Sequence, residues 1–258
     1  MESAEDSRLE MTDRDSTSSE RRTYEHSYVK SLFDRIAPNY DFLNHFLSLG
    51  IDIQWRRSAV RLLREFAPRT VLDVATGTAD LALELCKPPV EKIYGVDLSP
   101  EMLKLAKAKI ERKGLSGKIV VEEGSAEHLR FPDASFDAVM VAFGVRNFSD
   151  LQGGLREMYR VLHPGGAVMI LEFSKPRYSP FRQIYSYYFT RILPRLGGII
   201  SSSPEAYQYL PSTVMSFPDG EHMLKILTAV GFVGAFQQSL TLGIATIYIA
   251  EKPTTTLI

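Results

Sequence analysis

Val71-Leu-Asp-Val-Ala-Thr-Gly-Thr-Ala-Asp80, followed by Gly95-Val-Asp-Leu-Ser-Pro100, decides the fold. The first stretch reads as a buried strand running into a tight turn that starts a helix. The second reads as another strand, ending in an acid. Such a unit builds a nucleoside-shaped site at the carboxyl edge of a parallel sheet. Gly77 lets the backbone come close to a ligand, because a Cβ there takes the space the ligand needs. Asp97 is placed to accept hydrogen bonds from ribose hydroxyls. Asp73 orients the turn and faces an ammonium group, while Thr78 offers a hydroxyl and an amide at a helix N-terminus, suited to a carboxylate. Ala75 and Ala79 stand at two positions where a dinucleotide fingerprint has glycines. A turn with fewer glycines suits a ligand without a pyrophosphate, and S-adenosylmethionine is such a ligand.

Outward from this unit, strands are expected at 70–73, 92–97, 118–122, 136–142 and 167–173, separated by helices at 79–86, 100–112 and 151–162. Alternation of this kind predicts a parallel sheet covered on both faces. Ser99-Pro100-Glu101 is a helix start, with Ser as cap and Pro in the first turn. After a helix at 220–230, the runs 232–240 and 245–251 form a closing hairpin. Five parallel strands plus a terminal hairpin make the α/β, Rossmann-like arrangement of class I S-adenosylmethionine-dependent methyltransferases. Val161-Leu-His-Pro-Gly-Gly166 reads as a helix stop and a strand start, a structural break that recurs in this superfamily.

Before the first strand, Val29, Leu32, Phe33 and Ile36 fall on one helical face. Phe42, Leu43, Phe46 and Leu47 form a second stripe, and Trp55, Val60, Leu62 and Leu63 a third. These helices precede the sheet, so 23–66 is expected as a lid over its ligand-binding edge. Between the fifth strand and the last helix lies an insertion, 174–217, rich in aromatics: Tyr178, Phe181, Tyr185, Tyr187, Tyr188, Phe189, Tyr207 and Tyr209. It is expected to cover a substrate. The first 22 residues mix acids, Ser, Thr and Arg without periodicity and read as a disordered tail, leaving 23–253 as one domain.

Composition excludes several classes. The 258 residues are 45% hydrophobic and carry a formal charge of −1, which supports a full core and gives no pull toward nucleic acid. The lone Cys86 rules out an intramolecular disulfide and fits a reducing, cytoplasmic setting. No secretory or spanning segment is visible. His26, His45, His128, His163 and His222 lack ligand spacing, so no metal is expected.

Two further stretches carry chemistry. In Gly124-Ser-Ala-Glu-His128, Ser125 and Ala126 are where an adenine ring meets the chain, the alternative being a plain turn. In Phe143-Gly-Val-Arg-Asn147, Arg146 and Asn147 directly follow the fourth strand and point into the cleft beside the methyl donor. There they hold an oxygen of the acceptor or position a water that removes its proton.

Tyr40-Asp-Phe-Leu-Asn44, Ser48-Leu-Gly50, Trp55-Arg56, Asp73-Val-Ala-Thr-Gly-Thr-Ala-Asp80, Phe143-Gly-Val-Arg-Asn147 and Leu171-Glu-Phe-Ser-Lys-Pro176 resemble the ubiquinone/menaquinone biosynthesis C-methyltransferases. The resemblance runs from about Ser31 to Glu251. It implies that Thr78, Asp97, Ser125 and Ala126 contact S-adenosylmethionine. This chain departs from the family where it has Thr76-Gly-Thr-Ala79 and Ser125. The acceptor implied is a polyprenyl quinol, most simply demethylmenaquinol. A benzoquinol of ubiquinone synthesis, a soluble phenol and a catalytically idle nucleoside-binding subunit are the competing readings. Methylating a quinol carbon requires removal of a hydroxyl proton and exclusion of water; Arg146 and Asn147 are the candidates for that proton, with Tyr40 of the lid a third. The run 181–200, with Arg182, Arg191 and Arg195 among aromatics, suits peripheral contact with the inner face of a membrane and equally a lid or a homodimer contact.

Overall fold

The computed structural model describes residues 27–40, 48, 50–187, 191 and 204–254. The expected tail 1–22, the stripe Phe42–Leu47, Asn44, and 188–200 apart from Arg191 lie outside the described residues, as does the side chain of Tyr207.

A helix covers 27–36 (α1) and ends in a 3-10 turn, Ala37–Asn39. Then follow α2 (Ile51–Arg64), β1 (Thr70–Val74), α3 (Asp80–Leu85), β2 (Lys92–Asp97), α4 (Pro100–Arg112), β3 (Ile119–Glu123) and β4 (Phe136–Ala142). After a 3-10 turn at Val145–Asn147 come α5 (Leu151–Val161), β5 (Leu162–Phe173), α6 (Phe181–Tyr187), α7 (Pro204–Ser216), α8 (Glu221–Val230), β6 (Val233–Leu240) and β7 (Ala245–Glu251). The seven strands form one sheet in the order β3-β2-β1-β4-β5-β7-β6. β1 to β5 are parallel, and β7 pairs antiparallel with both β5 and β6. The expected five parallel strands and closing hairpin are therefore present. Strand order reverses between β1 and β4, and ligands of open α/β sheets bind at such a crevice.

Alternation along the strands divides the core between the two faces. Val71, Met140, Met169 and Ile247 pack with α2, α3 and α4 on one side. Leu72, Val139, Ile170 and Tyr248 pack with α5 and α8 on the other. The Ser99 side chain caps α4 by accepting from Met102 N at 3.1 Å, as its sequence predicts.

Two expectations are revised. β5 begins at Leu162, not at 167: Leu162 pairs with Phe136, and a register shift near Asp137 absorbs His163-Pro-Gly-Gly. A Cβ on Gly166 would lie 2.9 Å from Asp137 O, so this break is a bulged strand whose tight bend needs glycine. The second revision concerns the lid. Ala59 and Leu63 of α2 are fully buried in the core under the sheet, so α2 covers a sheet face and lends only Arg56 to the ligand edge, over which, among the described residues of this segment, 27–40 stand.

Gly144, just beyond β4, sits against the β1 turn. A Cβ there would lie 2.6 Å from Ala75 Cβ and 3.2 Å from Val141 Cγ2. Gly144→Ala is expected to cost about 1–3 kcal/mol through overpacking, read as a lowered urea midpoint with unchanged slope; an unchanged midpoint would mean the two loops can part freely.

Candidate active site

The turn after β1 is held from both sides. Thr76 N donates to Val96 O at 3.0 Å, and Thr76 Oγ1 to Asp73 Oδ2 at 2.6 Å. Gly77 N donates to Asp97 Oδ2 at 2.7 Å, while Ser99 N donates to Asp97 Oδ1 at 2.9 Å. Ala75, Gly77 and Ala79 all adopt positive φ, 52°, 56° and 67°. The two alanines thus take the left-handed backbone that the corresponding glycines take freely. Open space lies where a Cβ on Gly77 would point.

A cavity runs over the carboxyl ends of β1, β2 and β4. Its larger part is bounded by Asp97, Leu98, Met102, Gly124 and Ala126 below and by Val29, Lys30 and Phe33 of α1 above. A smaller polar recess beside it is bounded by Arg56, Asp73, Thr78 and Asp80. Tyr40, Ala75, Gly77, Ala142 and Phe143 border both. Tyr40 therefore stands at the junction, its ring packed edgewise on Phe33 with centroids 6.0 Å apart. Helix α1 is fastened by Lys30 to Glu123 at 2.5 Å and by Asp34 to the Ser99 hydroxyl.

In the recess, Thr78 Oγ1 accepts from Lys109 Nζ at 2.8 Å, and that ammonium also meets Asp80 Oδ1 at 2.6 Å. The buried Arg56 pairs with Asp52 at 2.5 Å and sends Nη2 to within 3.9 Å of Asp80. Arg56 is a wall residue that sequence reasoning did not single out; its only signal was its place in the Trp55-Arg56 pair. Asp34, Lys30 and Phe33 were missed as well.

The structure brings Asp73, Gly77, Thr78, Asp97, Ala126, Asn147 and Tyr40 to this cavity and turns two predicted residues away from it. The Ser125 hydroxyl is bonded to the Glu127 carboxylate, so Glu127 and not Ser125 forms the wall beside Ala126. Glu127 in turn accepts from Ser149 N at 2.8 Å, which locks it in place. Arg146 does not reach into the cleft either. Its Nη1 donates to Glu172 Oε1 at 2.8 Å and to Phe143 O, with its side chain 7% exposed and that of Glu172 fully buried. Asn147 does line the cavity, and its Oδ1 is buried without a hydrogen-bond partner. Arg146 Nε is buried and unpartnered too. The start of this turn is strained: Phe143 has φ 58°, rare for a bulky side chain. Its ring packs 4.7 Å from Phe173 and 6.1 Å from Trp55.

With this geometry in place, comparisons with known proteins are informative. A profile of the ubiE/COQ5 methyltransferase family matches residues 20–252. The chain belongs to that family. It is 45% identical over 226 residues to the demethylmenaquinone methyltransferase of Porphyromonas gingivalis, a match covering 87% of this chain and 92% of the relative. It is 47% identical over 234 residues to a protein of Geobacter sulfurreducens named ubiquinone/menaquinone biosynthesis C-methyltransferase UbiE, covering 90% and 91%. Among solved structures, a SAM-dependent methyltransferase from Aquifex aeolicus superposes with a TM-score of 0.54 at 22% identity, covering 75% of this chain and 89% of that one. The [4+2]-cyclase SpnF superposes with 0.57 at 17% identity, covering 88% and 96%. At such identities only the fold is shared, and SpnF illustrates that the fold alone does not set the chemistry.

The family member's two acids are both perturbed. Burial pushes Asp73 up to about 7, helped by Asp97 and opposed by the Thr76 hydroxyl and Arg56. Burial also raises Asp97, against the Ser99 and Gly77 amides, with Asp34 adding repulsion. Among the described residues no group of three or more His, Cys, Asp or Glu could hold a metal ion, and no helix is long and apolar enough to cross a membrane.

The folded state holds the Asp73 proton more tightly than the unfolded chain does, where the carboxyl pKa is about 3.9. Its contribution to stability is therefore fully present below that value and is lost as pH rises through about 7. Urea midpoints of the ligand-free protein are expected to fall over that window, and Asp73→Asn to flatten the fall. An identical slope in the variant would show that Asp73 titrates normally.

Proposed function

We propose that this chain transfers a methyl group from S-adenosylmethionine to a ring carbon of a polyprenyl quinol, converting demethylmenaquinol to menaquinol. The observation that carries the reading is near-complete coverage of a relative named demethylmenaquinone methyltransferase, 92% of its length at 45% identity. The residues fit the donor. Gly77 leaves room where a Cβ would stand, Asp97 borders the larger cavity to receive ribose hydroxyls, and Ala126 with Leu98 and Met102 supplies an apolar slot for adenine. In the polar recess Asp73 faces the ammonium, and Arg56 with the Thr78 end of the turn holds the carboxylate. When bound, S-adenosylmethionine supplies a methyl already activated on a sulfonium.

What remains for the chain is alignment, a proton and dryness. A quinone ring is electron-poor and does not attack. A quinol that loses a hydroxyl proton gains electron density on the adjacent ring carbon, which forms the new bond and then sheds its own hydrogen as a proton. Asn147 Oδ1 lines the cavity and is the buried acceptor of the turn without a hydrogen-bond partner; it is the group to hold the hydroxyl, directly or through a water, while Arg146, paired with Glu172, acts through the turn that carries it. Tyr40, at the junction of both cavity parts, orients the ring. Phe33, Phe143 and Phe148 keep water out, which strengthens these interactions. The aromatic insertion covers the first part of the prenyl tail, and contact with a membrane surface brings that tail to the enzyme.

Labelled methyl transfer to short-tail demethylmenaquinol and to the demethoxy benzoquinol precursor, under reducing conditions, tests the assignment. Preference for the naphthoquinol is expected; preference for the benzoquinol would move the enzyme to ubiquinone synthesis, and turnover of neither would overturn the quinol reading. Asp97→Ala is expected to weaken S-adenosylmethionine binding by about tenfold or more, since a hydrogen bond to a charged group contributes about 1.5–3 kcal/mol. Unchanged affinity by calorimetry would remove the ribose role.

A further inference from the structure

Glu172 is buried at the carboxyl end of β5 with no exposure at all, and both its oxygens are taken up inside the protein. Oε1 accepts from Arg146 Nη1 and from Phe173 N, each at 2.8 Å, and Oε2 accepts from Arg146 N at 3.3 Å. The same Nη1 donates to Phe143 O, and the guanidinium carbon lies 5.5 Å from the centre of the Phe173 ring. Buried ion pairs contribute little net stability, because desolvation offsets their attraction. This one is attached to the most strained aromatic residue of the site. Phe143 is held at φ 58°, and its ring borders both parts of the cavity. Four positions on, Asn147 N donates to Gly144 O at 2.9 Å, so Asn147 is carried by the same turn.

We infer that Glu172 is a positioning residue: by gripping Arg146 at its backbone and its guanidinium, and through it the Phe143 carbonyl, it holds the strained turn that presents the Phe143 ring and the Asn147 amide to the acceptor. The inference rests on the proposed methyl transfer for its kinetic consequence. Its structural half can be read without any ligand, because Trp55, the single tryptophan of the chain, packs 6.1 Å from both Phe143 and Phe173.

Glu172→Gln and Arg146→Lys in the full chain provide the test. Gln keeps the shape but not the charge, and Lys keeps the charge but not the planar fork. In ligand-free protein that still unfolds cooperatively, release of Phe143 is expected to red-shift Trp55 emission and increase its quenching by acrylamide. With the quinol acceptor, kcat is expected to fall about 10- to 100-fold, the scale of loss from displacing a positioned group by about an ångström. The dissociation constant for S-adenosylmethionine, measured by equilibrium dialysis, is expected to stay within about threefold, because Asp97, Gly77 and Ala126 do not depend on this turn. Folded variants with unchanged emission and unchanged kcat overturn the inference, and so does parallel loss of kcat and donor affinity. If Glu172→Gln does not fold, Arg146→Lys decides by the same measurements. A wild-type protein inactive on quinols sinks the substrate reading, whereas Trp55 emission still settles whether Glu172 holds the turn.

Discussion

The rim of the site depends on one carboxylate. Asp97 accepts Gly77 N with one oxygen and Ser99 N with the other, so a single side chain joins the turn after β1 to the start of α4. The tie is possible because β1 and β2 run parallel and in register, Asp73 beside Gly95, so that both strands end at one edge. Each amide favours the charged carboxylate, while burial and Asp34 oppose it. An aliphatic residue in its place would leave the Gly77 and Ser99 amides without their acceptor. Ser99 extends the tie, since its hydroxyl caps α4 and also meets Asp34 of α1. The lid is thereby fastened to the residues that bound the nucleoside end of the cavity.

The second support is the pair Arg146–Glu172 on the other side of the switch point. Its value lies in geometry more than in net stability. Backbone strain persists only where the surroundings over-determine it, and here a carbonyl, two amides and a guanidinium converge on the turn. Gly144 completes the arrangement from the β1 side, because any Cβ there would strike Ala75. The turns after β1 and β4 therefore pack directly against each other at Ala75 and Gly144.

Much of this was legible in the sequence, and what was not has a common cause. The βαβ unit could be read because Gly77, Asp97 and Ser99 act through local backbone that their residue types dictate. The parallel sheet followed from the alternation of strand and helix, and the closing hairpin from two strand-like runs split by a short Gly-containing turn. Tyr40 and Asn147, singled out in the sequence, both border the cavity, Asn147 because it directly follows a strand that ends there. The directions of Arg146 and Ser125 were misjudged because a long or rotatable side chain goes where its partner is. Arg146 finds Glu172, 26 residues away, and Ser125 finds a carboxylate two residues on. Asp34 and Ser99 are 65 residues apart, and Lys30 and Glu123 are 93 apart, distances over which periodicity carries no information. The lid was overdrawn for a different reason: the α2 stripe shows that a face is buried without saying against which layer.

These supports share a consequence for the chemistry. Transfer between a sulfonium and a phenolate is a reaction of opposite charges, and water weakens their approach by screening it. The cavity answers with apolar walls, Val29, Phe33, Met102 and Phe148. Most charged groups nearby are already paired: Arg56 with Asp52, Lys109 with Asp80, and Arg146 with Glu172. Among the described residues lining the cavity, Asn147 Oδ1 is a buried acceptor without a hydrogen-bond partner. Tyr40, a side chain with an apolar ring and a polar tip, is one of five residues shared by the polar recess and the apolar slot, with Ala75, Gly77, Ala142 and Phe143.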